Sequence, residues 1–184
     1  MSRDGSNCFV LTGGPGSGKS TLIEAFAAAG FPTAAEAGRA VIRDQMAIDG
    51  RALPWIDPLM FAEMMLARDL QSHADHARRD GPAFFDRGIP DVIGYLTLAG
   101  VPVPDHMRKA AALYRYNTHA FVCPPWPEIF TQDRERRQTP EEAERTYVAM
   151  TRTYADCGYC LIEVPRTKTA ARRQFVLDAL ARLM

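Results

Sequence analysis

Apolar positions along this chain follow two rhythms. Short apolar runs at residues 7–11, 31–35, 82–86, 119–123 and 159–164 read as strands. Between them lie longer polar–apolar stretches, at 19–29, 37–49, 57–80, 90–98, 105–116, 139–156 and 169–183, that read as helices. Punctuation agrees with this division. Gly30, Gly50 and Gly100 each follow a helical stretch. Asp57-Pro58 supplies an N-cap and a proline for the first helical position, ahead of an apolar stripe carrying Phe61, Met64, Met65 and Leu66. Thr139-Pro140-Glu141-Glu142 has the form of a capping box. Strands alternating with helices predict an α/β fold around a mostly parallel sheet. No repeat, low-complexity tract or linker interrupts residues 1–184, which read as a single domain with a lid segment around 126–140.

Composition narrows the class. Lys plus Arg and Asp plus Glu number 22 each, so net charge is zero and nothing global draws the chain to nucleic acid or an anionic membrane. No run approaches the ~18 apolar residues of a membrane span. The apolar run near the N-terminus is too short for a signal-peptide core. The expectation is a cytoplasmic protein whose four cysteines, Cys8, Cys123, Cys157 and Cys160, stay reduced.

The chemistry starts between the first strand and the first helix. GGPGSGKS, residues 13–20, fits G-x-x-x-x-G-K-[ST]. Glycines let a backbone curl until successive N–H groups point inward at phosphate oxygens. The following helix adds its positive N-terminal end. Gly13, Gly14, Pro15, Gly16, Ser17, Gly18, Lys19, Ser20 and Thr21 form the predicted nucleotide-binding segment. Lys19 is placed as a point charge for the β- and γ-phosphates, and the Ser20 hydroxyl as a Mg²⁺ ligand.

Phosphoryl transfer further needs a group for the metal or the proton, and positive charge on the transferring group. Asp86 ends an apolar strand, where an open parallel sheet binds its ligands. It reads as a Mg²⁺ ligand, a general base, or a cap for the next turn. Arg87 reads as a grip on an anionic substrate or as a salt-bridge partner. Glu36, after the second strand, is placed to accept a proton from a substrate hydroxyl, or simply to complement a helix dipole. Arg39 lies one helical turn beyond it. Arg134, Arg136 and Arg137 cluster between two helices, where a closing lid would bring charge to the transition state. Arg134 and Arg137 share one helical face.

GGPGSGKST, AAEAGRAVI, FFDRGIPD, DRERR and GYCLIEVP follow one another in this order. In that order they resemble the small AAA-type predicted ATPases related to ribosylnicotinamide kinase, within the nucleoside and nucleotide kinase group of P-loop proteins. The resemblance implies a three-layer fold with a five-stranded parallel sheet of order 2-3-1-4-5 and helices on both faces. It implies ATP as the nucleotide, an acceptor pocket lined by Glu36 and Arg39, and an acid–arginine pair at Asp86 and Arg87. The lid arginines correspond loosely to 134–137. A serine or tyrosine often follows the third strand in nucleoside kinases; Gly88-Ile89-Pro90 stands here instead.

Other signals carry less. Cys157-x-x-Cys160 precedes a strand and has no second pair to complete a zinc site, so the thiols read as incidental. His73 and His76 lack a third ligand and read as a solvated helix face. Trp55 and Trp126 read as packing anchors or base-stacking rings, and Met64 or Met65 as core or as a pliable pocket wall. A regulatory GTPase would show N/T-K-x-D after the fourth strand, where Cys123-Pro-Pro-Trp126 stands. A motor ATPase would place Glu, not Arg87, after Asp86. The expectation is a kinase using ATP and Mg²⁺ on a small-molecule acceptor, with Lys19, Glu36, Asp86, Arg134 and Arg137 catalytic and Glu36, Arg39 and Arg87 on the acceptor. Its alternative is an ATPase or regulatory nucleotide-binding protein with no such acceptor.

Overall fold

The computed structural model describes residues 3–129 and 139–183. Five parallel strands form the main sheet: β2 (Cys8–Gly13), β3 (Thr33–Ala34), β4 (Ala83–Asp86), β6 (His119–Cys123) and β7 (Cys160–Glu163), in the order β3-β4-β2-β6-β7. Counting only these five, the order is 2-3-1-4-5. Two further strands, β1 (Arg3–Gly5) and β5 (Tyr114–Tyr116), pair with each other in a separate two-stranded sheet.

Side-chain alternation along the strands produces three layers. Phe9, Leu11, Phe84 and Phe121 face one way, onto Leu22 and Phe26 of α1 (Lys19–Ala28) and Val176 and Leu180 of α7 (Thr169–Leu183). Phe26 stacks on Phe84 with ring centroids 3.7 Å apart. Cys8, Val10, Phe85 and Ala120 face the other way. There they meet α2 (Ala37–Ala47), α3 (Pro58–His76), α4 (Ile89–Leu98), α5 (Asp105–Leu113) and α6 (Pro140–Asp156).

Local signals set most helix ends. Asp57 accepts a hydrogen bond from the Met60 amide at the start of α3. Thr139 and Glu142 satisfy each other's backbone amides, at 3.2 and 2.7 Å, ahead of α6. Thr139→Ala should cost about 1 kcal/mol, a fall of roughly 2–4 °C in thermal melts for a domain of this size; an unchanged melting temperature would show that the box adds no stability.

Three expectations are corrected. The helix predicted over 105–116 stops at Leu113, because residues 114–116 pair with Arg3–Gly5 and bury Tyr116. A long-range partner outcompetes local propensity there. The helix predicted to reach residue 80 ends at His76, where the Asn7 side-chain amide donates to the carbonyls of His76 and Arg79. His73 is not solvated. It is fully buried, its Nε2 2.9 Å from the Arg115 carbonyl and its ring edge-on to Tyr114 and Tyr116. Among the described residues no helix is long and apolar enough to cross a membrane.

Candidate active site

The phosphate loop leaves β2 at Gly13 and enters α1 at Lys19. Gly13, Gly16 and Gly18 all have positive φ, which lets the loop curl. Neighbours enforce glycine as well. A Cβ on Gly14 would lie 2.3 Å from the Ala143 carbonyl, so the first turn of α6 sits directly over the loop. Ser17 Oγ donates to the Gly14 carbonyl at 2.8 Å, and Lys19 Nζ donates to the same carbonyl at 2.5 Å. Lys19 therefore reaches across the loop instead of out to solvent, and it is buried.

Arg172 supports the loop from behind. It is buried at the start of α7 and donates to the carbonyls of Ser17 (3.0 Å) and Gly18 (3.3 Å). Turning those carbonyls toward a guanidinium leaves the amide face of the loop for phosphate. The Arg172 guanidinium also lies over Trp126, 5.5 Å from its ring centre. Trp126 is thus a packing partner of the loop's support.

The acids divide between two places. Asp86 ends β4, next to β2 in register with Leu11, and accepts a hydrogen bond from Ser20 Oγ at 2.9 Å. Asp86 is 4% exposed, and its other oxygen, Oδ1, has no partner among the described residues. A buried carboxylate oxygen without a donor, beside a hydroxyl oxygen, suits a hard divalent cation. Ser20 and Asp86 would thus hold Mg²⁺, with the remaining positions left to water and phosphate. Ser20 and Thr21 are exposed, at the open side of the loop.

Glu36 lies on the other side, at the N-terminus of α2. Its two oxygens accept from Arg39 Nε (3.3 Å) and Arg87 Nε (3.2 Å). Arg87 also donates to Asp91 Oδ1 at 2.8 Å. Arg87 has φ 71°, a left-handed backbone that costs a non-glycine residue on the order of 1–3 kcal/mol. Its two carboxylate partners, and the hydrogen bond its backbone N–H donates to the Leu11 carbonyl, hold it there. Asp91 is the hub: it also accepts from Thr12 Oγ1, the Gly88 amide and the Tyr154 hydroxyl at 2.8, 3.0 and 2.7 Å. Burial and the Asp91 charge hold the Tyr154 hydroxyl well above its usual pKa, so it stays a donor.

A cavity of about 660 Å³ opens beside the loop, between α2, α3, α4 and α6. Pro15 of the loop, Glu36, Arg87 and Asp91 form its polar end, and Phe61, Met65 and Tyr95 line its apolar walls. Trp55, 60% exposed, stands at the rim. Arg39 does not line the cavity; it braces Glu36 with its own side chain two-fifths exposed. Asp86 does not line it either: it bonds Ser20, while Glu36 bonds Arg87, the residue that follows Asp86 in the chain. Arg134, Arg136 and Arg137 lie outside the described residues. Among the described residues no cluster of three or more His, Cys, Asp or Glu is placed to hold a metal, and the C-x-x-C thiols are free.

Three site residues escaped the sequence reading. Asp91 and Arg172 gave no signal, because a charged residue in a helix looks like any surface charge. Asp69 gave one. It falls four residues after Met65 and eight after Phe61, on the stripe α3 buries.

Comparisons with known proteins agree with this architecture. The crystal structure of a NadR protein in complex with NR superposes with a TM-score of 0.73 at 19% identity, over 96% of this chain and 50% of that one. The chain thus spans about half the length of that protein. A deoxyadenosine kinase from M. mycoides, with dCMP and dCDP bound, superposes with a TM-score of 0.68 at 12% identity, over 95% of this chain and 99% of that one. A thymidylate kinase from Ehrlichia chaffeensis gives 0.60 at 15% identity, over 96% and 99%. At such identities the likeness establishes the fold, which this chain shares with those three proteins. No protein of curated function matches the sequence. A family profile described as an AAA domain matches residues 8–172, nearly the whole chain, and the chain belongs to that AAA domain family.

Proposed function

We propose that this protein is a small-molecule kinase that binds ATP with Mg²⁺ on residues 13–21. It moves the γ-phosphoryl group to a hydroxyl of a nucleoside, nucleotide or related metabolite held in the cavity. One observation carries the reading: a cavity of about 660 Å³, a size suited to a small ligand, shares Pro15 with the phosphate loop and has Glu36 in its polar end. A second substrate bound there would lie beside the phosphate loop, next to Glu36.

That geometry divides the roles. Lys19 and the loop amides hold the phosphates, and Ser20 with Asp86 holds Mg²⁺, which when bound neutralises charge on the phosphate oxygens. Glu36, fixed by two arginines, accepts the proton of the acceptor hydroxyl as its oxygen bonds the γ-phosphorus and the bond to the β-phosphate oxygen breaks. Arg87 holds Glu36 and Asp91 in place through its paired bonds. Arg134 and Arg137 are the further cations assigned to the transferring group.

The test is a phosphotransfer screen with ATP–Mg²⁺ against nucleosides, nucleotides and small hydroxylated metabolites, reading ADP release and acceptor phosphorylation together. ADP release that depends on one acceptor class is expected. ADP release of equal rate with and without every acceptor would replace the kinase by a hydrolase.

A further inference from the structure

Among the described residues, Asp69 is the one carboxyl lining the cavity with no ion-pair or hydrogen-bond partner. It is 8% exposed, projects from the buried stripe of α3 and lines the cavity among Phe61, Met65 and Tyr95. An acid so placed is costly to the fold unless something in the cavity binds it. We propose that Asp69 is an acceptor-binding residue, and that with Glu36 and Asp91 it selects an uncharged nucleoside over the corresponding nucleoside phosphate. The inference rests on the kinase reading for the identity of the site and extends it to the acceptor's charge and to a residue outside the predicted set.

Charge supports the first half. Among the described residues four carboxyl side chains, Glu36, Asp69, Asp91 and Glu142, line the cavity, and Arg87 is the cation that lines it. Its guanidinium is already committed to Glu36 and Asp91. A phosphate ester would enter against the Glu36, Asp91 and Glu142 carboxylates, and among the described residues no uncommitted arginine lines the cavity to receive it bidentately. An uncharged molecule avoids that cost.

Shape and hydrogen bonding support the second half. Phe61, Tyr95 and Trp55 offer ring surfaces to a flat heterocycle, and Glu36 requires a hydroxyl at the loop end. Burial pushes the Asp69 carboxyl well above the usual carboxylate range; the Asp91 charge adds to this and Arg87 opposes it. In its protonated form the Asp69 carboxyl presents one donor and one acceptor, the pairing that the polar edge of a nucleobase returns.

The experiment titrates adenosine, guanosine, cytidine, uridine and thymidine, and the 5′-monophosphate of each, into the full chain by calorimetry. At least one nucleoside should bind, and its own monophosphate at least tenfold more weakly. Asp69→Leu, of similar volume, should weaken that nucleoside tenfold or more while melting no lower than the parent. Asp69→Asn, which keeps a donor and an acceptor, should stay within about fivefold. Monophosphates binding as tightly as nucleosides, no nucleoside binding, or unchanged affinity in Asp69→Leu would overturn the inference. So would equal losses in both variants that track a fall in melting temperature. The kinase reading fails separately, if a nucleoside binds as expected and is not phosphorylated with ATP–Mg²⁺.

Discussion

Lys19→Ala should remove nucleotide-dependent turnover, with a loss on the order of 10²–10³-fold or more, the scale of deleting one preorganised charge-stabilising donor. The structure adds a reason to expect a weaker nucleotide complex as well. Lys19 Nζ crosses the loop to the Gly14 carbonyl and also donates to Ser17 Oγ at 3.2 Å. Removing it takes away both the cation and a brace of the loop's curvature. Arg172 still holds the Ser17 and Gly18 carbonyls, so the fold itself should survive, and a thermal melt checks this. Nucleotide affinity equal to wild type in calorimetry would overturn the assignment of this loop as the phosphate site.

Glu36→Gln should separate binding from chemistry. Turnover should fall about 10²–10⁴-fold, the range for a lost general base, while nucleotide affinity stays within about threefold. The substitution keeps the shape of the side chain but removes the charge that pairs with Arg87 and Arg39. Arg87 retains Asp91, which limits the structural consequence. Asp86→Asn provides the contrast: Asp86 accepts from Ser20 and does not line the cavity, so its loss should raise the Mg²⁺ concentration needed for activity. A Glu36→Gln variant with unchanged turnover and unchanged affinity would make Glu36 a structural ion-pair partner of α2.

Much of the architecture was legible because it is written in short-range patterns. The five main strands and their neighbours in sequence follow from apolar runs and their punctuation, and Asp57, Thr139 and Pro140 mark helix starts through bonds that span only three residues. The strand pair of residues 3–5 with 114–116 was invisible, since neither segment is apolar enough to announce a strand and each depends on the other. His73 was misread for the same reason. Its helical position is ambiguous until Tyr114 and Tyr116 come to rest against it.

The site divides along the same line. From sequence alone came the phosphate loop at residues 13–20, because its chemistry lies in consecutive backbone amides and one following lysine. Sequence likewise marked Glu36, Asp86 and Arg87 as candidates, since an acid or arginine at a strand's carboxyl end has few structural reasons to be there. Tertiary structure alone decided which of these meet. It put Asp86 on Ser20 and Glu36 on Arg87, and gave only Glu36 and Arg87 to the cavity. It also brought in Asp91 and Arg172, whose residue patterns give no signal, and Asp69, which is marked only by its place on the buried stripe of α3. The reason is physical: a cavity is enclosed by elements distant in the chain, and the charge balance within it exists only once they pack together.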